Sequence, residues 1–313
     1  MNNIITAIKE NIAKVMVGQE RVTDLVLACI ISGGHALLED VPGMGKTVLA
    51  RSLAASVGAD FSRVQFTPDL LPSDVVGLNY YNQKLAEFVF KAGPAFCNIL
   101  LGDEINRATP RTQSSLLECM AEAQITIDGV TRELPKPFFV IATQNPIETL
   151  GTYPLPEAQL DRFLMRISMD APSPEDEKNI LERFLKAQPL QELKAVCSKD
   201  DILALMDEAK DVYVHPVLMD YMVALAQNSR KLPGVDMGIS PRATLALLNA
   251  ARSWALIKGR DFVVPEDIKD IAEPVLAHRI KLSGAINPAK EQKKVIKQLL
   301  DSITVPTEDW NKK

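Results

Sequence analysis

Ala36-Leu37-Leu38-Glu39-Asp40-Val41-Pro42-Gly43-Met44-Gly45-Lys46-Thr47 is the stretch whose reading decides the fold. A short apolar run ends in two acids, a Gly-rich turn follows, and Val48-Leu49-Ala50-Arg51-Ser52-Leu53 continues as a helix. Strand, loop and helix in that order are the setting that a phosphate-binding loop requires. Small residues let backbone N–H groups close around phosphate oxygens, and the helix N-terminus adds partial positive charge. Lys46 then reaches the β- and γ-phosphates, and Thr47 offers its hydroxyl to Mg²⁺. The strict pattern opens with Gly, and Asp40 stands in that place; Gly43 and Gly45 remain, and Pro42 stiffens the turn. The candidate nucleotide-binding run is therefore Asp40, Val41, Pro42, Gly43, Met44, Gly45, Lys46, Thr47 and Val48.

The second decisive stretch is Asn98-Ile99-Leu100-Leu101-Gly102-Asp103-Glu104. An apolar run this short, closed by two acids, predicts a parallel strand buried on both faces. Its carboxyl end delivers the acids to the crevice where ligands bind in open α/β sheets. Two adjacent carboxylates there are costly unless a cation or ligand compensates them. Asp103 suits the Mg²⁺ site and Glu104 suits the water that attacks a γ-phosphate. A third buried strand, Phe138-Phe139-Val140-Ile141-Ala142-Thr143, ends at Gln144-Asn145-Pro146. Asn145 at that end suits a hydrogen bond to the attacking water, although Asn before Pro is also a plain turn former.

Composition sets the outer limits. The chain has 313 residues, 47% hydrophobic and 24% charged, which is ordinary globular composition with room for two domains. A net charge of −5 argues against a duplex-DNA grip that depends on a strong positive field. Cys29, Cys97, Cys119 and Cys197 are widely spaced, with neither a C-x-x-C pair nor a Cys/His cluster, and read as reduced thiols, mostly buried. Met1-Asn2-Asn3-Ile4 opens no signal-peptide pattern, and no apolar run is long enough to span a bilayer, so the expected compartment is the cytoplasm.

Other elements are placed from periodicity. Ile4, Ile5, Ile8, Ile12, Val15 and Met16 recur at helical spacing, Val17-Gly18-Gln19-Glu20 interrupts, and Val22 to Ile31 resumes. The turn at Gly18 and Gln19 suits contact with an adenine as well as it suits a plain helix–helix turn. Arg63 to Thr67 reads as a strand, Pro68 to Asp74 as a short helix or turn, and 78–90 as a small β insertion turning at Asn82-Gln83-Lys84. A helix runs from Pro110 to Ala123. The segment 125–134 reads as a hairpin turning at Asp128-Gly129, either structural or a contact for a substrate or neighbouring subunit. Arg162, in Leu160-Asp161-Arg162-Phe163, suits a finger that reaches a neighbouring subunit's γ-phosphate; Arg166 suits a surface salt bridge better. Ala171-Pro172-Ser173-Pro174 marks a domain boundary. Beyond it helices are predicted at 175–187, 201–210, 216–228, 241–257, 265–277 and 289–300, with no convincing strand. Ser240-Pro241-Arg242 combines an N-cap with Pro in the first turn and sets Arg242 at a helix start. Lys293, Lys294 and Lys297 read as a solvated helix face.

Taken together, these motifs resemble the AAA+ ATPases and, among them, the MoxR family. The likeness covers nearly the whole chain. It rests on Leu38 to Gly43, Gln65-Phe66-Thr67-Pro68-Asp69-Leu70-Leu71-Pro72-Ser73-Asp74, Gly102-Asp103-Glu104-Ile105-Asn106-Arg107-Ala108, Ala142-Thr143-Gln144-Asn145-Pro146 and Ser240-Pro241-Arg242. Asp40 is normal for MoxR proteins. The resemblance implies an α/β fold: a P-loop domain over 1–172, with a central parallel β-sheet flanked by helices, then an all-helical lid over 173–313. It makes 78–90 the helix-2 insert and 125–134 the pre-sensor-1 hairpin. It implies Lys46 and Thr47 as Walker A, Asp103 and Glu104 as Walker B, Asn145 as sensor 1, Arg162 as the trans-acting finger and Arg242 as sensor 2, acting on ATP with Mg²⁺.

The family typically forms hexameric rings and is thought to act as chaperones on separate partner chains, often with a metal-binding von Willebrand factor A domain. The expected function is thus ATP hydrolysis coupled to remodelling of a partner, including metal-cofactor maturation. A nucleotide-gated scaffold with low turnover and a chelatase-type motor subunit are the alternatives; a DNA motor fits poorly with the acidic balance.

Overall fold

The chain opens with helices α1 (Asn2–Ala13) and α2 (Glu20–Ile31), joined through Val17-Gly18-Gln19. Strand β1 (Ala36–Glu39) precedes α3 (Lys46–Ser56); β2 (Phe61–Gln65) and the short α4 (Pro72–Val76) follow. Next come the hairpin β3 (Gly77–Asn82) and β4 (Glu87–Ala92), strand β5 (Ile99–Asp103), helix α5 (Pro110–Glu122), the hairpin β6 (Gln124–Ile127) and β7 (Val130–Glu133), strand β8 (Phe139–Gln144), α6 (Glu157–Leu160) and β9 (Met165–Ser168). The computed structural model describes residues 2–39, 43–145, 151–169, 171–186, 188–284 and 287–305.

Five strands form one parallel sheet in the order β2-β5-β8-β1-β9. The alternation expected of strands sorts their side chains between two cores. Leu38, Ile99, Leu101, Phe139 and Ile141 enter one cluster with α1, α2 and α3. Leu37, Leu100, Val140 and Ala142 enter the other, beneath α5, with Phe66, Leu116 and Leu117. Both faces are covered, which is why these strands read as unbroken apolar runs. Register then does the functional work. Gln65 lies opposite Asp103, Leu38 opposite Thr143, and Glu39 opposite Gln144. The carboxyl ends of β1, β8, β5 and β2 therefore stand side by side along one edge.

After β9 the chain is helical: α7 (Pro174–Lys186), α8 (Pro189–Glu192), α9 (Lys199–Asp211), α10 (Pro216–Ser229), α11 (Pro241–Ile257), α12 (Pro265–Leu276) and α13 (Pro288–Ser302). One difference from the sequence reading is a two-stranded ribbon, β10 (Val235–Met237) with β11 (Lys281–Leu282), in antiparallel pairing. Segments of three and two residues are too short to show alternation. Lys293 is a second difference: its ammonium pairs with Glu273 at 3.0 Å and donates to Ser168 at 3.1 Å, so it is not simply solvated.

Helix α2 joins the two halves. Its residues Val22 to Ile31 are all buried, with sheet contacts on one side and α9 and α11 on the other. Asp24 is buried and pairs with Lys9 at 2.7 Å and with Lys258 of the second half at 3.3 Å. Among the described residues no helix is long and apolar enough to cross a membrane, and no cluster of three or more His, Cys, Asp and Glu residues is placed to hold a metal ion by itself. Cys29, Cys97 and Cys119 are buried free thiols, and Cys197 is partly exposed; burial raises Cys97 and Cys197 to about 11 and Cys119 to about 12.

His35 locks the start of β1 to its surroundings. Its Nε2–H donates to the Met120 carbonyl at 2.9 Å, and its Nδ1 accepts from the Val140 amide at 3.0 Å. A ring that accepts an N–H has no room for a second proton, and burial pushes its pKa down to about 4. The folded state therefore holds fewer protons than the unfolded chain between that value and the ordinary value of 6.5. Stability from this group is complete above that window and is lost as pH falls through it. Chemical denaturation of wild type and His35→Gln between pH 4 and 6.5 will show a steeper wild-type dependence, by about one proton at most; parallel curves would contradict this.

Candidate functional site

Gly45 is the N-cap of α3, with φ +88°, and no side chain caps the helix. The first N–H groups of this eleven-residue helix therefore face outward with the positive end of its dipole. Gly43 also has a positive φ, +95°, a conformation that itself favours glycine, and among the described residues a Cβ there would meet no atom within 4 Å, so its backbone is open to close approach. Lys46 and Thr47 open the helix. Asp40, Val41 and Pro42 lie outside the described residues.

Gly43, Gly45, Lys46 and Thr47 line a cavity of about 250 Å³ whose opposite wall holds Asp103, Glu104, Thr143, Gln144 and Asn145. Strand order explains the meeting. β8 lies between β1 and β5, so Asn145, just past its end, sits between the loop after β1 and the acids after β5. A second cavity of about 390 Å³ adjoins the same loop on its apolar side. Val15, Met16, Val17, Gln19, Met44, Val48, Pro172, Ile180 and Phe184 line it. Gly18 lies at the turn between α1 and α2 with φ +69°, where a Cβ would come within 2.6 Å of the Asp176 carboxylate. A polar cradle beside an apolar slot fits the two ends of a nucleotide.

The acid pair is tightly held. Thr143 donates its hydroxyl to Asp103 Oδ1 at 2.6 Å and accepts the Glu104 amide at 2.9 Å. Arg63 Nη2 pairs with Asp103 Oδ2 at 2.7 Å and donates to Gln65 Oε1 at 3.1 Å. Gln65 Nε2 donates to Glu104 Oε2 at 2.8 Å, and Arg107 Nε lies 3.2 Å from the same oxygen. Glu104 itself is left-handed, φ 55° and ψ 49°. For a residue with a Cβ that conformation costs about 1–2 kcal/mol, and such strain gathers at functional positions. A hydroxyl and a carboxylate facing one phosphate-sized cavity are the hard oxygen donors that Mg²⁺ takes, so Thr47 and Asp103 fit that ion.

Arg63, Gln65 and Thr143 were not singled out by sequence. Their signal was present: each stands at or near the carboxyl end of a strand in this sheet. Arg162 and Arg242 do not line the phosphate-side cavity of this chain. Arg162 donates Nη1 to the Leu117 carbonyl of α5 at 2.7 Å. Arg242, 67% exposed at the start of α11, lies 3.4 Å from Asp161. Ser240 caps that helix as expected, accepting the Ala243 amide at 3.2 Å. Arg166 is a correction. It is not at the surface; its side chain is 7% exposed and pairs with Glu39 at 3.5 Å while donating to Gln292 at 2.9 Å. Its strand is flanked by the sheet on one side and by α12 and α13 on the other, which four apolar neighbours in sequence did not disclose.

Residues 35–165 match the ATPase family associated with various cellular activities (AAA), and residues 227–299 match the AAA lid domain. The YeaC protein of Bacillus subtilis is 46% identical over 96% of this chain and 94% of its own length. Chaperone MoxR1 of Mycobacterium tuberculosis is 43% identical over 94% of this chain and 80% of its own. Protein MoxR of Methylorubrum extorquens is 32% identical, covering 95% and 93%. A solved protein of Cytophaga hutchinsonii superposes with a TM-score of 0.89 at 38% identity, covering 98% of this chain and 96% of that one. The chain belongs to the MoxR family of AAA+ ATPases.

Lys46→Ala tests the phosphate cradle directly. Loss of a charge-assisted bond will weaken a fluorescent ATP analogue by about 10- to 100-fold in a titration, with the unfolding midpoint little changed. Unchanged affinity would remove this loop from the site.

Proposed function

We propose that this MoxR-family chain hydrolyses ATP to ADP and phosphate at a site completed by a second copy, and uses the cycle to remodel a separate partner protein. The observation that carries the reading is the convergence of the glycine cradle, Lys46, Thr47, Asp103, Glu104 and Asn145 around one cavity beside an apolar slot. In this reading Gln19, Met44 and Val48 border the base, Gly18 shapes the turn that presents Gln19 without lining the slot itself, and the loop with Lys46 holds the phosphates. Thr47 and Asp103 would hold Mg²⁺, which neutralises phosphate charge when bound. Residues 1–172 would form the nucleotide unit and 173–313 the lid, in keeping with the two matched ranges.

Glu104 is the group that orients the attacking water and accepts its proton. Its carboxylate is aimed by Gln65 and Arg107, and its backbone by Thr143. Asn145 positions the same water. Phosphoryl transfer needs mostly alignment and compensating charge, and a finger supplied in trans contributes about 10³- to 10⁵-fold. Arg162 fits that role better than Arg166, which is buried against Glu39 of its own chain. A hexameric ring places such a finger beside each site. Arg242 reports on the nucleotide from the lid.

The two hairpins support a partner contact. Asn79 donates to Asp128 at 2.7 Å, and the Arg132 guanidinium lies 4.0 Å from the Phe90 ring centroid, so the hairpins form one unit. Tyr80, Tyr81, Leu85 and Phe88 are exposed on it, and an exposed apolar patch of this kind marks an interaction surface. A client with a von Willebrand factor A domain, or one under metal-cofactor maturation, belongs to this reading.

Steady-state phosphate release and nucleotide titration on Glu104→Gln and Thr143→Val test the proposal. Glu104→Gln will bind ATP with unchanged affinity and release no phosphate. Thr143→Val will lower turnover by roughly 10- to 100-fold, the usual effect of removing a group that orients a catalytic carboxylate. ATP binding without turnover in the wild type would favour the scaffold.

A further inference from the structure

Residues 161–164 join α6 to β9 and carry Arg162 between two neighbours that the lid grips. On one side, the Asp161 carboxylate takes two cations: Arg279 Nε at 2.9 Å on Oδ1 and Arg242 Nε at 3.4 Å on Oδ2. On the other, Phe163 is fully buried, and its carbonyl accepts from Arg279 Nη2 at 3.0 Å and from His278 Nε2 at 3.1 Å. Arg279 Nη2 also reaches the Asp161 carbonyl at 3.3 Å, and Nη1 donates back to the Val275 carbonyl at 3.2 Å. One guanidinium thus spans the residues immediately before and after Arg162.

The two arginines on Asp161 differ in kind. Arg279 is 5% exposed and Arg242 67% exposed. Burial lowers the Arg279 pKa, and the Asp161 carboxylate opposes that shift. His278 stays neutral, its pKa held well below the usual value by burial and by Arg279 and Arg166. A buried cation committed to one carboxylate and three carbonyls is a rigid joint, because removing the carboxylate would leave an unpaired buried charge. The exposed Arg242 can leave Asp161 at far lower cost.

We propose that Arg279 is a positioning residue for Arg162, setting from its own lid the place at which that side chain is presented to a neighbouring copy. This rests on the reading that Arg162 acts in trans. The lid of one copy thereby governs hydrolysis in the next, and Arg242, which shares Asp161, lets the first copy's nucleotide affect that presentation.

The test is complementation between variant chains in mixed assemblies of the full-length protein, read as phosphate release. Arg279→Met alone will lose about 100-fold in turnover, the effect of misplacing a reacting group, while its affinity for a fluorescent ATP analogue is unchanged. Mixed with Glu104→Gln chains, which keep an intact Arg162 segment but cannot hydrolyse, it will regain activity above either alone. Mixed with Arg162→Ala chains it will not, because neither chain then presents a competent arginine. Arg279→Lys keeps the charge and loses the fork; it serves in the same mixtures if the Met variant unfolds, and is expected to fall between. Full activity of both Arg279 variants alone would overturn the proposal, as would a defect that Glu104→Gln chains do not rescue. The pairing of Arg162→Ala with Glu104→Gln is the control: if it fails to complement, the trans reading itself falls, and this proposal with it.

Discussion

Two carboxylates at the end of a wholly buried strand set the terms for the groups around them. Asp103 and Glu104 leave β5 at the edge of a sheet covered on both faces, where unpaired charge is expensive. Each is accordingly met by a cation and a neutral donor: Arg63 and Thr143 for Asp103, Arg107 and Gln65 for Glu104. Arg63, Gln65 and Thr143 come from β2 and β8, which parallel register sets beside β5, and Arg107 follows Glu104 by three residues in the turn after it. Strand order then places the glycine loop of β1 across the same cavity. A site made this way is positioned by the stiffest part of the molecule, and the left-handed backbone at Glu104 is sustained by that support.

What the sequence disclosed was local. Apolar runs bounded by acids or by Gly and Pro marked β1, β5 and β8, because strands buried on both faces need no alternation to be recognised. Asp128-Gly129 marked its hairpin, and both residues take the positive φ that such a turn demands. Ser240-Pro241 marked the start of α11. What stayed hidden was long-range pairing. Nothing near Arg166 announces Glu39, and nothing near Asp161 announces Arg279, 118 positions on. The ribbon of β10 and β11 was too short to show a period. Gln65 and Thr143 were visible as strand residues, but their tasks depend on register, which one strand does not carry.

The joint between sheet and lid follows from the same economy of buried charge. Asp24 meets Lys258 where α2 enters the lid. Arg166 meets Glu39, which itself accepts from Gln144, the residue before Asn145. Asp161 meets Arg279 beside Arg162. Of these pairs, Asp161 with Arg279 ties the second half to the residue beside the arginine proposed to act in trans, and Asp24 with Lys258 ties it to α2. The exposed hairpin unit stands on the opposite core, with α5.

In the proposed cycle a neighbouring copy finishes the site. Phosphate release per chain, measured across a wide range of protein concentration beside the mass of the assembly in ATP and Mg²⁺, is the decisive test. Turnover per chain should rise with concentration in step with the appearance of a ring. Constant turnover from a chain that stays monomeric throughout would contradict it.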